Sequence, residues 1–188
     1  MSSMPVSERM TADEFLAIED EHPRLWLVDG AIVVNSPAPA HQFLAMRLIY
    51  ALGDWIRVDD GRGLLTIPID VGVDRYNVYA PDLLWYRAGA APARDAPPPY
   101  ALPDIAVEIR SPSTWRYDIG AKKSAYEREG LPELWLVDGD AGVVLVFRRS
   151  APSAPTFDVA LEFDRTATLT SPQLTGFALD VGALFDVA

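Results

Sequence analysis

A chain of 188 residues with an apolar fraction of 49% suits one buried core and is short for two, so a single domain over 1–188 is expected. No run approaches the roughly 18 apolar residues of a membrane-spanning helix, Met1–Met10 carries no basic region followed by an apolar one, and cysteine is absent. Disulfides and thiolate zinc sites are excluded, and the expectation is a soluble cytoplasmic protein whose metal, if any, sits on oxygen or imidazole. The net charge of −11 argues against a uniformly basic nucleic-acid coat, while permitting a local basic face beside a carboxylate metal site.

Thr11 and Glu14 form a capping-box pair that opens a short helix to about Glu19. Leu25–Val28 and Ala31–Val34 flank Asp29-Gly30, a pair that favours a two-residue type I′ hairpin turn. After the Pro-rich turn Ser36–Ala40, apolar residues from Phe43 to Ile56 recur at spacings of three and four, predicting a helix from His41 to about Val58 with one broad buried face. Leu64–Val73 reads as a strand in which Pro68 marks an edge or a bulge, and Tyr79–Trp85 reads as another. Arg87–Pro103, rich in Ala and Pro, is a surface excursion within the fold. Ile105, Val107 and Ile109 alternate with Asp104, Ala106, Glu108 and Arg110, which turns the first set to the core and the second to the opposite, polar face. Glu108 and Arg110 then point the same way. Trp115–Glu129 predicts a helix closed by Gly130 and Pro132. Leu134–Val137, Gly142–Arg148 and Phe157–Phe163 predict a meander, and Leu179–Phe185 a short amphipathic tail. Mixed helices and strands with consecutive strands at the end give an α/β or α+β sheet domain.

Lysine usage points to chemistry. Fourteen of the sixteen basic residues are Arg, and the only two Lys are neighbours, Lys122 and Lys123. Where charge alone matters this chain uses Arg, so a retained Lys suggests a need for a compact ammonium that can sit close to a water or a phosphate; a chance pair on a solvated helix face reads the same way. Asp82 follows Pro81 at the start of a strand, and Glu108 lies on the polar face of another. Two such carboxylates on adjacent strands can hold Mg²⁺, and a Lys within reach can position a water for phosphodiester hydrolysis. Taken singly, each is also an ordinary surface or capping residue. From Arg110 to Gly130 five basic residues (Arg110, Arg116, Lys122, Lys123, Arg128) face three acidic ones (Asp118, Glu127, Glu129), a locally positive stretch. Ser111–Thr114 can lay hydroxyls and amides near a helix N-terminus, where anions are favoured, or serve as a plain turn and cap.

Pro81–Leu83, Asp104–Thr114, Tyr117–Lys122, Tyr126–Asp138, Leu169–Pro172 and Leu174–Asp180 together resemble the Uma two family of restriction-endonuclease-like proteins, and the likeness runs from Met10 to Phe185. That family lies within the PD-(D/E)XK nuclease superfamily. The resemblance implies a restriction-endonuclease-like mixed β-sheet flanked by helices, dependence on Mg²⁺ or Mn²⁺, and hydrolysis of DNA, with a homodimer inferred because a duplex cut needs two sites. It implies Asp82 and Glu108 as metal ligands, with the Ile109 carbonyl as a third. The superfamily's Lys usually stands two residues after the acid, where this chain has Arg110; the resemblance places the Lys on the next helix, at Lys122. Arg stays protonated, so Arg110 is assigned to phosphate and Lys122 to the water. Arg116 and Lys123 are assigned to nucleic acid. His41 is read as contacting phosphate, orienting a carboxylate, or capping its helix. Two departures bear on activity: Trp26 stands where members often carry Glu, and Ala31 where an acidic residue is common. A catalytically weakened DNA-binding or regulatory module, and a structural ion-pair cluster without metal affinity, are the alternatives.

Overall fold

The computed structural model describes residues 9–18, 25–34, 38–111 and 115–186. The expected first-helix end at Glu19, Ser36 and Pro37 of the Pro-rich turn, and residues 112–114 of the hydroxyl-bearing turn lie outside them.

The capping box forms as read. Thr11 accepts from the Glu14 amide and Glu14 accepts from the Thr11 amide, opening helix α1, Ala12–Leu16. Strands β1 (Leu25–Val28) and β2 (Ala31–Val34) pair through Val28 and Ala31. Asp29 and Gly30 both take positive φ, 50° and 75°, as a type I′ turn demands. A Cβ on Gly30 would lie 2.6 Å from Arg9 Cβ.

The central sheet has six strands in the order β10-β9-β8-β7-β6-β3. These are β3 (Leu64–Thr66), β6 (Leu83–Tyr86), β7 (Ile105–Ile109), β8 (Glu133–Asp138), β9 (Val143–Arg148) and β10 (Val159–Phe163). Among the described strand pairs of this sheet, only β7 and β8 run parallel; β8, β9 and β10 form the expected antiparallel meander. A four-stranded sheet, β2-β1-β5-β4, adds β4 (Val71–Asp74) and β5 (Asn77–Tyr79). Long helix α2 (Pro39–Arg57) and short α5 (Val181–Phe185) cover one face of the central sheet. There Leu44, Leu48 and Leu52 pack with Val107, Ile109, Trp135 and Val137. On the other face, Trp26, Val28, Tyr79 and Tyr126 meet Leu84, Ala106, Leu134 and Leu136.

Four expectations change, and each change shapes the site. Leu64–Val73 is two strands in different sheets, because Pro68 has no N–H to continue a ladder. Tyr79–Trp85 likewise divides at Ala80-Pro81-Asp82, where the chain crosses from the small sheet to the central one. The face of β7 read as polar is covered as thoroughly as the apolar face; Asp104, Ala106 and Glu108 are all buried. Alternation reports which residues share a face, and here packed layers lie on both. The helix over Trp115–Glu129 is three pieces, α3 (Trp115–Tyr117), a π turn (Asp118–Lys122) and α4 (Lys123–Arg128).

Candidate metal and phosphodiester site

Continuing the antiparallel register Leu83↔Val107 sets Asp82 level with Glu108. Beyond the end of β6 the Asp82 side chain takes over the strand's role: its Oδ2 accepts from the Ile109 amide at 2.7 Å. The same oxygen lies 3.1 Å from Nε2 of His41, on the first turn of α2. Both side chains are buried, and His41 Nδ1 has no hydrogen-bond partner among the described residues.

Glu108 meets the π turn. Its Oε1 accepts from Lys122 Nζ at 3.1 Å and from the Tyr126 hydroxyl at 3.0 Å. Lys122 Nζ also lies 2.9 Å from Asp118 Oδ1, one helical turn back. The ammonium sits 3.3 Å from the centroid of the Trp26 ring, with the Tyr79 ring 5.6 Å away. Lys122 is 0% exposed and Glu108 1%. A π turn adds a residue to the helical repeat and is frequent where a helix must aim side chains at a site; here it carries Asp118 and Lys122.

Burial dominates the proton affinity of Glu108 and, with repulsion from Asp118 and Asp82, lifts its pKa to about 8 against the pull of Lys122. Burial works against the Lys122 ammonium, yet the Glu108 and Asp118 carboxylates outweigh it and raise its pKa. Burial, then Glu108, drives the Tyr126 phenol well above its ordinary value. Glu108 and Asp118 flank the buried lysine, and the charge of Asp82 is near enough to act on both Glu108 and Lys122.

Among the described residues, no three His, Asp or Glu side chains are grouped so as to hold a metal ion. The donor set expected for Mg²⁺ draws on two side chains and the main chain. Hydrogen bonds to Asp82 and Glu108 fall on one oxygen of each, Oδ2 and Oε1. The Arg110 amide donates to Val137 of β8; adjacent strand residues face opposite edges, so the Ile109 amide and carbonyl face the Asp82 edge. Two carboxylates and a carbonyl are an all-oxygen set that fits a hard divalent cation.

The residues assigned to nucleic acid separate. Arg110 is 32% exposed at its side chain; Nη1 holds both oxygens of Asp138, at 2.9 and 2.8 Å, and Nη2 lies 3.4 Å from Asp140. Exposed Arg116 donates to the Tyr117 hydroxyl at 2.8 Å. Lys123 rests its ammonium 4.5 Å from the Phe147 ring centroid, away from the Lys122 cluster. His41 is turned inward to Asp82. The sequence reading did not name Asp118 or Tyr126 as site residues, although their spacing of four on either side of Lys122 signals one helix face. The contact of Trp26 with Lys122 has no local signal, since it depends on how the two sheets pack.

The fold is similar to the crystal structure of a putative nuclease belonging to DUF820 from Anabaena variabilis ATCC 29413, with a TM-score of 0.75 at 19% identity, covering 94% of this chain and 97% of that one. No curated protein matches the chain. No helix among the described residues is long and apolar enough to cross a membrane. The sequence model of Uma2, described as "Putative restriction endonuclease", matches residues 12–182. The chain belongs to the Uma2 family.

Proposed function

We propose that this protein is a Mg²⁺-dependent DNA endonuclease, able to use Mn²⁺, that hydrolyses phosphodiester bonds as a homodimer. The observation that carries the reading is the buried contact of Glu108 with Lys122, Nζ 3.1 Å from the carboxylate, beside Asp82, which is tied to the residue after Glu108 on the same strand through the Ile109 amide. Asp82, Glu108 and the Ile109 carbonyl would hold the metal. When bound there, Mg²⁺ would offset negative charge building on phosphorus and lower the pKa of water. His41 orients Asp82 through Nε2, the outer-layer role that fixes a ligating carboxylate. Lys122 positions the attacking water, and Arg110 and Arg116 meet the phosphate backbone, with Lys123 extending that contact along the helix.

Plasmid nicking with and without Mg²⁺, wild type beside Glu108→Ala and Lys122→Ala, tests this. Metal-dependent nicking lost in both variants is expected; nicking indifferent to both would end the proposal.

One observation favours a second reading, a catalytically weakened nuclease fold that binds DNA as a regulatory module. Lys122 is fully enclosed and already shared by two carboxylates, and no acid stands at Trp26 or Ala31 to add a ligand. That reading predicts salt-sensitive DNA binding without cleavage. Calorimetry with Mg²⁺ or Mn²⁺ separates both from a purely structural ion cluster, which would bind neither ion.

A further inference from the structure

A buried ammonium has three N–H donors to satisfy. Glu108 and Asp118 take two directions around Lys122 Nζ, at 3.1 and 2.9 Å. Among the described residues the third direction meets the indole face of Trp26, 3.3 Å from Nζ, centroid to nitrogen. Trp26 is itself buried in β1 and belongs to the apolar cluster between the two sheets, so packing within that cluster holds its ring. The electron-rich face of an aromatic ring attracts a cation most strongly when both are removed from water. Unlike a carboxylate, the ring neither takes a proton nor adds a negative charge.

We propose that Trp26 is a positioning residue, its indole face forming the third wall of the seat that fixes the Lys122 amine. The inference rests on the reading of Lys122 as the group that places the attacking water. With two partners the amine can swing about the line between them; with the ring beneath it, it has one place. The ring holds Lys122 still without competing for its proton.

The chain has two lysines, so labelling lysine Nζ with ¹⁵N gives two side-chain resonances, assigned by Lys123→Arg. In the full-length wild type, the ring current of Trp26 should shift the Lys122 ammonium and Cε protons upfield, and the ammonium protons should exchange slowly. Trp26→Phe should keep most of the shift and the slow exchange. Trp26→Leu, or Trp26→Met should the leucine chain fail to fold, should lose both. In the nicking assay the non-aromatic variants should lose kcat by roughly 10- to 30-fold, the scale of a desolvated cation–π contact, with KM little changed and Trp26→Phe largely restoring the rate. A Lys122 resonance indifferent to loss of the ring overturns the seat whatever the activity. A lost seat with kcat intact overturns the positioning role. Absence of cleavage by the wild type would instead refute the endonuclease, and with it the positioning role, while the resonance still decides whether the seat exists.

Discussion

Lys122→Met removes the ammonium while keeping an unbranched apolar chain of similar reach. The substitution leaves Glu108 and Asp118, each 1% exposed at its side chain and each within about 3 Å of the lost cation, as neighbouring buried carboxylates. Removing one partner of a buried ion pair costs about 3–5 kcal/mol, because the remaining charge is left uncompensated. For a chain of 188 residues, at about 2–4 °C per kcal/mol, the melting temperature should fall by roughly 10 °C at pH 8 and above, where Glu108 ionises. The loss should depend on pH with a definite sign. Burial lifts Glu108 from its ordinary 4.5 to about 8, so folding favours its protonated form. That contribution is complete below pH about 4.5 and is lost as pH rises through about 8. Lys122 offsets part of the loss in the wild type, so the variant should be harmed more at pH 8 than at pH 5.5. Adding Glu108→Gln to Lys122→Met should recover part of the stability. Thermal unfolding of the three proteins at both pH values decides it. A drop under about 2 °C at pH 8, or one equal at the two pH values, would refute the view that these charges are buried and mutually dependent.

Mg²⁺ or Mn²⁺ affinity by calorimetry should rise with pH up to about 8, because the metal needs Glu108 ionised, with a proton released on binding; pH-independent affinity contradicts that ligand. Asp82→Ala orphans the Ile109 amide and His41 Nε2 and should cost about 2–4 kcal/mol by denaturant unfolding. A cost under about 0.5 kcal/mol would show that Asp82 is not the anchor of that corner. In DNA binding measured against salt, Arg110→Ala and Arg116→Ala should each reduce the slope of log K on log salt by about one without changing sequence preference; an unchanged slope removes that residue from the interface. Lys123→Ala should reduce the slope only if the amine leaves the Phe147 ring on binding.

Much of the architecture is written in local signals. The capping box, the Asp-Gly hairpin turn, the long amphipathic helix and the closing meander depend on near neighbours, and each forms where its pattern lies. The two long strands read through Pro68 and Pro81 are each shared between sheets, because a window of apolar residues does not say which sheet each half joins. The burial of Glu108 was equally hidden. Its polar neighbours Asp104 and Arg110 made that face of β7 look solvated, whereas α4 and the small sheet cover it. Motif spacing and the scarcity of lysine marked Asp82, Glu108 and Lys122; the structure pairs Glu108 with Lys122 and holds Asp82 against His41 and the Ile109 amide. Trp26 read as a missing acid; only the packing of β1 over the π turn brings its ring face to the amine.

The account depends on a divalent cation lying between Asp82 and Glu108, and crystals grown with Mn²⁺ test this most directly through anomalous scattering. A single strong peak between those two carboxylates, absent in Glu108→Gln crystals, is the predicted result. No peak there at saturating Mn²⁺, with the Glu108–Lys122 contact unchanged, would contradict the proposed chemistry and leave the charges a structural cluster.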